Sequence, residues 1–324
     1  MLQVKRLVDY PIINAKLDSS IGQNIQGPSL IKAPQWVKSP LGRYYLYFAH
    51  HKGTYIRLAV ADTLQGPWKI YRPGTLHLEA SRFLTTPPRL SESQRIQVEA
   101  RYAASKVQID HTIAYEATTP HIASPDVHVD NKRQRIRMYF HGLQDIATQV
   151  TRVAESSNGI DFHVFSPVLG RSYMRVFQWN HMTYAMSMPG QFYRSTDGLS
   201  QFEPGPLLFN ANMRHAALLV QESTLYVFWT QVGHAPERIL VSTIDLSLDW
   251  MQWHASEPVE VLRPERDWEG ANAPLKPSIR STAYGQVNQL RDPAIYTENN
   301  RVFLLYAVAG ESGIALAEVF FNKE

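Results

Sequence analysis

Apolar positions recur along this chain in short alternating or continuous runs, bounded by Gly, Pro, Asn and Asp, and almost nowhere at the three-to-four spacing of a helix. The pattern predicts an all-β fold. One strand is written five times: residues 43–49 (RYYLYFA), 135–141 (RIRMYFH), 224–230 (TLYVFWT), 301–307 (RVFLLYA) and, more weakly, 181–187 (HMTYAMS). Each copy follows another strand, at 28–31, 125–129, 174–177, 215–219 and 292–296. Most copies precede a third strand that ends in a small-polar turn and an aromatic: 59–62 to Trp68, 153–156 to Phe162, 193–195 to Phe202 and 241–243 to Trp250.

Strand, strand, strand, aromatic is the grammar of a propeller blade. Five blades in 324 residues give about 65 residues each, generous for such repeats, so some blades carry long loops. The last blade runs out at residues 314–320 without an outer strand, and residues 2–8 form a strand with no blade of its own. Pairing the two closes the ring and covers both free edges. The fold class expected is therefore a five-bladed β-propeller, one domain over 1–324, closed by the N-terminal strand. A β-sandwich does not predict five copies with a spare strand at each end. The main insertion, about 78–123 between blades one and two, includes Arg101-Tyr102-Ala103-Ala104-Ser105-Lys106; a loop of that length on a rigid scaffold shapes a binding site or a packing arm.

Composition narrows the chemistry. With no Cys, the chain offers no disulfide framework, thiolate metal site or Cys nucleophile. Its 32 Lys and Arg against 29 Asp and Glu give a mild, distributed net charge of +3. The densest basic run, residues 132–137, reads as a solvated hairpin turn leading into a strand, so no nucleic-acid partner is expected. No run approaches the roughly 18 apolar residues of a membrane span, and charges at Lys5, Arg6 and Asp9 interrupt any signal-peptide core. A cytoplasmic protein with no membrane partner is expected, and a homo-oligomer is left open.

In a propeller the first strand of every blade lines the central channel, so the strand heads converge whatever their separation in sequence. Those heads read Gly27 with Ser29, Asp126 with His128, Arg175, His215 with Arg214, and Asp292 with Arg291. Acids, bases and cations stand where a structural strand prefers apolar residues. Facing carboxylates suit glycosidic cleavage, which needs one group to protonate the leaving oxygen and another to activate water or attack directly. Glu269, in the Asp267-Trp268-Glu269-Gly270 loop before blade five, is a further candidate acid, and Trp268 beside it a sugar-stacking face. His51 and His141 end second strands and are expected in the pocket; Tyr173 and Trp179 lie in or near the funnel segments. No cofactor is required, and the absence of close ligand spacing argues against metal catalysis; a structural or axial ion such as calcium is left open.

The chain resembles the five-bladed β-propeller glycoside hydrolases, the broad group of families 43, 32, 68 and 117. The resemblance spans nearly its whole length. It rests on Gly27-Pro28-Ser29-Leu30 followed by Tyr44-Tyr45-Leu46-Tyr47, on Leu64-Gln65-Gly66-Pro67-Trp68, on Ser124-Pro125-Asp126-Val127 and on Leu290-Arg291-Asp292-Pro293. Family 43-like enzymes usually carry a catalytic Asp at the head of blade one, a second Asp in blade two and a Glu acid further on. Asp126 matches the second, whereas Gly27-Pro28 leaves the blade-one position without an acid. The resemblance thus implies an inverting glycoside hydrolase acting on an oligosaccharide. Asp126 or Asp292 would be the base and Glu269 or His215 the acid; Arg175, Arg214 and Arg291 would bind the sugar, with His51, His128, His141 and Trp268 lining the pocket. The alternatives are a propeller that binds carbohydrate without cleaving it and one that serves only protein contacts.

Overall fold

The computed structural model describes residues 2–104 and 111–321. The chain opens with β1 (Leu2–Arg6) and β2 (Ile13–Asn14). Blade one is β3 (Gln26–Lys32), β4 (Tyr44–Ala49), β5 (Arg57–Ala61) and β6 (Lys69–Tyr71). Blade two is β7 (Ile122–Asp130), β8 (Arg135–Asp145) and β9 (Thr148–Ser156), edged by β10 (His163–Val164) and β11 (Gly170–Arg171). Blade three comprises β12 (Arg175–Trp179), β13 (Met182–Ser187), β14 (Gln191–Ser195) and β15 (Glu203–Leu207). Blade four comprises β16 (Met213–Gln221), β17 (Thr224–Gln231), β18 (Ile239–Asp245) and β19 (Val259–Leu262). Blade five has β20 (Arg291–Glu298), β21 (Arg301–Val308) and β22 (Gly313–Phe321), and takes β1 as its outer strand. All five expected copies are second strands, and the expected ring closure is present: β1 runs antiparallel to β22, from Leu2 opposite Phe321 to Arg6 opposite Ala317.

The second strands are mostly apolar because each is covered on both faces. In β4, Tyr45 and Tyr47 pack towards blade two, while Tyr44, Leu46 and Phe48 pack towards blade five. Three further clusters fill the seams between blades two and three, three and four, and four and five. The core is thus a ring of five seams around a polar axis.

Repeated turns latch neighbouring blades. Ser156 and Ser195 cap the turns at Asn158-Gly159 and Asp197-Gly198, whose carbonyls accept the hydroxyls of Tyr47 (2.7 Å) and Tyr139 (2.8 Å) from the preceding blade. Gly159 has φ +77°, and a Cβ there would stand 2.7 Å from the Tyr47 hydroxyl, so geometry and contact both require glycine. Tyr47→Phe leaves the buried Gly159 carbonyl unpaired and is expected to cost about 1–3 kcal/mol in denaturant unfolding.

The insertion departs from expectation in two ways. Its last two assigned residues, Ile122 and Ala123, belong to β7, and much of the rest is helical: α1 (Glu92–Ala104) and α2 (Ile113–Thr118). α1 buries only Val98, so no apolar stripe marks it in the sequence. It is held by a reciprocal cap between Ser91 and Gln94 and by Arg95 pairing with Glu92 and Glu99. Ser105 and Lys106 lie outside the described residues. The basic run at 132–137 does begin in the turn between β7 and β8. Among the described residues no helix is long and apolar enough to cross a membrane.

Candidate functional site at the heads of the inner strands

One backbone device repeats around the channel. Gly27, Ser124, Tyr173, His215 and Asp292 all have positive φ, between 47° and 61°. In four blades the ladder register slips at that point: between Gln26 and Ser29, Ala123 and Asp126, Arg214 and Ala216, and Arg291 and Ala294. A bulge with a left-handed residue re-aims a side chain and bends the strand. Four of the five are not glycine, a conformation that costs of order 1–3 kcal/mol each and clusters at functional sites. The fifth, Gly27, has no room for more: a Cβ would meet Ser124 Cα at 3.0 Å.

The other three large members meet. Tyr173 donates its hydroxyl to Asp292 Oδ1 at 2.8 Å, His215 Nε2 lies 3.8 Å from the same oxygen, and the Tyr173 and His215 rings are 5.4 Å apart. Asp292 is 1% exposed and its Oδ2 has no hydrogen-bond partner. Burial, with the charge of Glu311 nearby, pushes its carboxyl up to about 6. Burial also carries His215 well below its ordinary range, reinforced by Arg214 and Arg291, so the imidazole is neutral at physiological pH.

A buried lattice supports this group. Arg214 grips both oxygens of Glu237, Arg291 reaches Glu237 at 3.4 Å and Glu311 at 2.7 Å, and Asn24 donates to Glu311 at 2.6 Å. Burial alone would raise Glu311, but His51, Arg291 and Asn24 outweigh it and hold the carboxyl at about 2.

Above the group opens a cavity of about 500 Å³. Tyr173, His215, His141, His51, Ser124 and Arg214 line it, joined by Arg101, Tyr102 and Glu116 from the insertion and by Arg171 and Arg280. His141 Nδ1 is buried without a partner, and its ring lies 6.2 Å from that of Tyr173. Glu116 takes Lys52 Nζ at 3.0 Å; burial would raise its carboxyl, but Lys52 and His51 draw it below its ordinary value.

The site therefore gathers Asp292, His215, His51, His141 and Arg214 from the expected set, with Asp292 just beneath the floor made by Tyr173 and His215. The remaining expected residues fall elsewhere. Asp126 and His128 pair at 2.7 Å in a second cavity, of about 600 Å³, at the other end of the channel. The proline aligns the blades: Ser124-Pro125 corresponds to Gly27-Pro28 and Asp292-Pro293, so Ser124 heads blade two and Asp126 lies about 7 Å further along the strand. Arg175 stands between the two cavities, its guanidinium 4.2 Å from the Tyr173 ring centre and donating to the carbonyls of Ala216, Ser124 and Pro125. Arg291 is locked in the lattice and does not line the cavity.

Glu269 is fully buried at the ring closure, where it accepts from Arg6 Nε and Nη2, the Tyr306 hydroxyl and the backbone N–H of Glu265 and Arg266. A carboxylate with five donors on it, away from the funnel, is a latch. Trp268 packs into the blade four–five seam and Trp179 against the blade three–four seam. Among the described residues no three His, Asp or Glu side chains converge as a metal site. Sequence reasoning missed Ser124, Glu116, Arg171 and Arg280, while Arg101 and Tyr102 belong to the insertion expected to shape a binding site or a packing arm; the Xaa-Pro pairs at the strand heads were the available signal for Ser124.

No family profile matches the chain. Its fold is that of family-43 glycoside hydrolases. It superposes on RS223-β-xylosidase with a TM-score of 0.57 at 11% identity, covering 97% of this chain and 96% of that one. CoXyl43, a β-xylosidase/α-arabinofuranosidase from a compost microbial metagenome solved with xylotriose, gives 0.56 at 12%, covering 96% and 94%. The α-L-arabinofuranosidase from Lactobacillus brevis gives 0.57 at 12%, covering 95% and 94%. In sequence the chain is 35% identical over 349 residues to the uncharacterized protein R118 of Acanthamoeba polyphaga mimivirus, covering 98% of this chain and 90% of that protein. Identity of that depth across both lengths makes this chain a member of the R118 family, built on the five-bladed propeller that the family-43 glycoside hydrolases share.

Proposed function

We propose that the protein is a glycoside hydrolase that takes a saccharide into the cavity over Tyr173 and His215. The observation that carries this reading is the Asp292 carboxyl: buried, lifted to about 6 and half unpartnered, at the strained head of an inner strand. Two carboxyl groups pushed apart in acidity are what acid and base work require. Asp292 holds a proton at mildly acidic pH and, lying beneath the floor, passes it through the Tyr173 hydroxyl, which bonds its carboxyl and lines the cavity, to the glycosidic oxygen as the bond to the anomeric carbon breaks. Glu116, kept ionised by Lys52, takes a proton from the water that attacks the opposite face, giving an inverted product.

A second reading, saccharide binding without cleavage, is favoured by Gly27 and Ser124 at the heads of blades one and two and by the seclusion of Asp292. The test is monosaccharide release from a panel of plant and algal oligosaccharides by the native chain and by Glu116→Gln. The hydrolase reading expects release by the native protein and a fall of about 10²–10⁴-fold in the variant. Retention of a glycan with no release establishes the second reading instead.

A further inference from the structure

We infer that the saccharide held in this cavity is acidic, carrying a carboxylate, sulfate or phosphate group that docks on Arg101, Arg171 and Arg280. The inference rests on the saccharide-site reading above and on nothing in its catalytic part. The three arginines come from three separate segments, α1, β11 and the chain between β19 and β20, and line one cavity.

Three neighbouring cations are matched by carboxylates within the protein: Lys52 with Glu116 at 3.0 Å, Arg214 with Glu237, and Arg291 with Glu311 at 2.7 Å. Arg101, Arg171 and Arg280 have no carboxylate partner among the described residues. Arg101 gives one Nη to the Ala147 carbonyl at 2.8 Å and Arg280 one to the Ala211 carbonyl at 2.7 Å; each bond orients a guanidinium without neutralising it. Tyr102 lies close enough to interact with the charges of both Arg101 and Arg280. The one other carboxyl of the site, Asp292, is sealed beneath the floor.

A concave wall with several unneutralised cations focuses a positive field and draws in anions. Guanidinium offers the planar fork that pairs two oxygens of a carboxylate, sulfate or phosphate at once. The burial and like-charge pressure on Arg280, the latter from Arg214, describe the same field from inside the protein. A bound anionic group would supply the missing counter-charge, whereas a neutral sugar would leave the three arginines of this cavity without one.

The experiment is a glycan array probed with the full chain, carrying uronate, sulfated and phosphorylated oligosaccharides beside methyl-esterified, desulfated and dephosphorylated forms of the same backbones. Calorimetry on the best acidic glycan and its neutral form follows, at low and high salt. The acidic form is expected to bind at least about tenfold tighter, the preference shrinking with salt. Arg101→Gln with Arg280→Gln should abolish that preference, so that the folded variant, checked by its melting transition, binds the acidic form no tighter than the neutral one. Equal binding of both forms overturns the charge assignment and leaves the saccharide site standing. Competition by inorganic phosphate as strong as that of the acidic glycan overturns it in favour of a free-anion site. No retention of any glycan removes the saccharide reading itself.

Discussion

Asp292→Asn is expected to lower turnover by about 10²–10⁴-fold while leaving the propeller folded. Asparagine keeps the shape and, with its carbonyl in the Oδ1 position, still accepts from Tyr173, but it has no proton to give. The substitution carries a second signature that does not depend on finding the substrate. Asp292 is raised from 3.8 to about 6, so its contribution is fully present below about pH 4 and is lost as pH rises through 6. That loss amounts to about 3 kcal/mol on the scale of roughly 1.4 kcal/mol per pH unit. Glu311, held at about 2, acts in the opposite direction and only in more acid solution: its contribution is present above about pH 4.5 and is lost as pH falls through 2. Asp292→Asn should therefore be more stable than the native chain at about pH 8, with the difference vanishing near pH 4. Denaturant unfolding at both pH values checks this. Equal stability at both would mean the carboxyl is not raised, and unchanged turnover would remove Asp292 from the chemistry.

Glu269→Ala is expected to be the most destabilising single change, about 3–5 kcal/mol, because it leaves the Arg6 guanidinium, the Tyr306 hydroxyl and two backbone N–H groups without their acceptor at the ring closure. At about 2 °C per kcal/mol, Tm should fall by roughly 6–10 °C. Glu269→Gln keeps part of the hydrogen bonding and should fall less. Both variants, compared per folded molecule, should retain native turnover and glycan binding. A Glu269→Gln protein with native Tm and no activity would overturn the latch assignment and restore Glu269 as the acid.

These two carboxyls show where the sequence was legible. Asp292 stands at a strand head whose Asp-Pro pair aligns with Gly27-Pro28, and its place on the axis follows from counting blades. Asp126 reads as its equivalent because Pro125-Asp126 resembles the same pair reversed. The bulge between Ala123 and Asp126 sets the head at Ser124, and that slip leaves no mark in side-chain alternation. Glu269, a Glu before Gly beside Trp, reads as a presented acid until β1 returns across the ring and brings Arg6 onto it. The length of the insertion pointed to a site-shaping or packing segment around Arg101 and Tyr102, but α1 lacks an apolar stripe, so its helical form was not legible.

The sequence by itself determined the five blades, the strand order within each and the closure of the ring. Those features are written locally, in mostly apolar runs whose two faces are both buried. Only the tertiary structure decided which acids are free and which are latched, and which of the two channel ends each one faces. Those outcomes depend on one-residue bulges and on partners more than 200 residues away, as with Arg6 and Glu269, whose meeting no local pattern encodes.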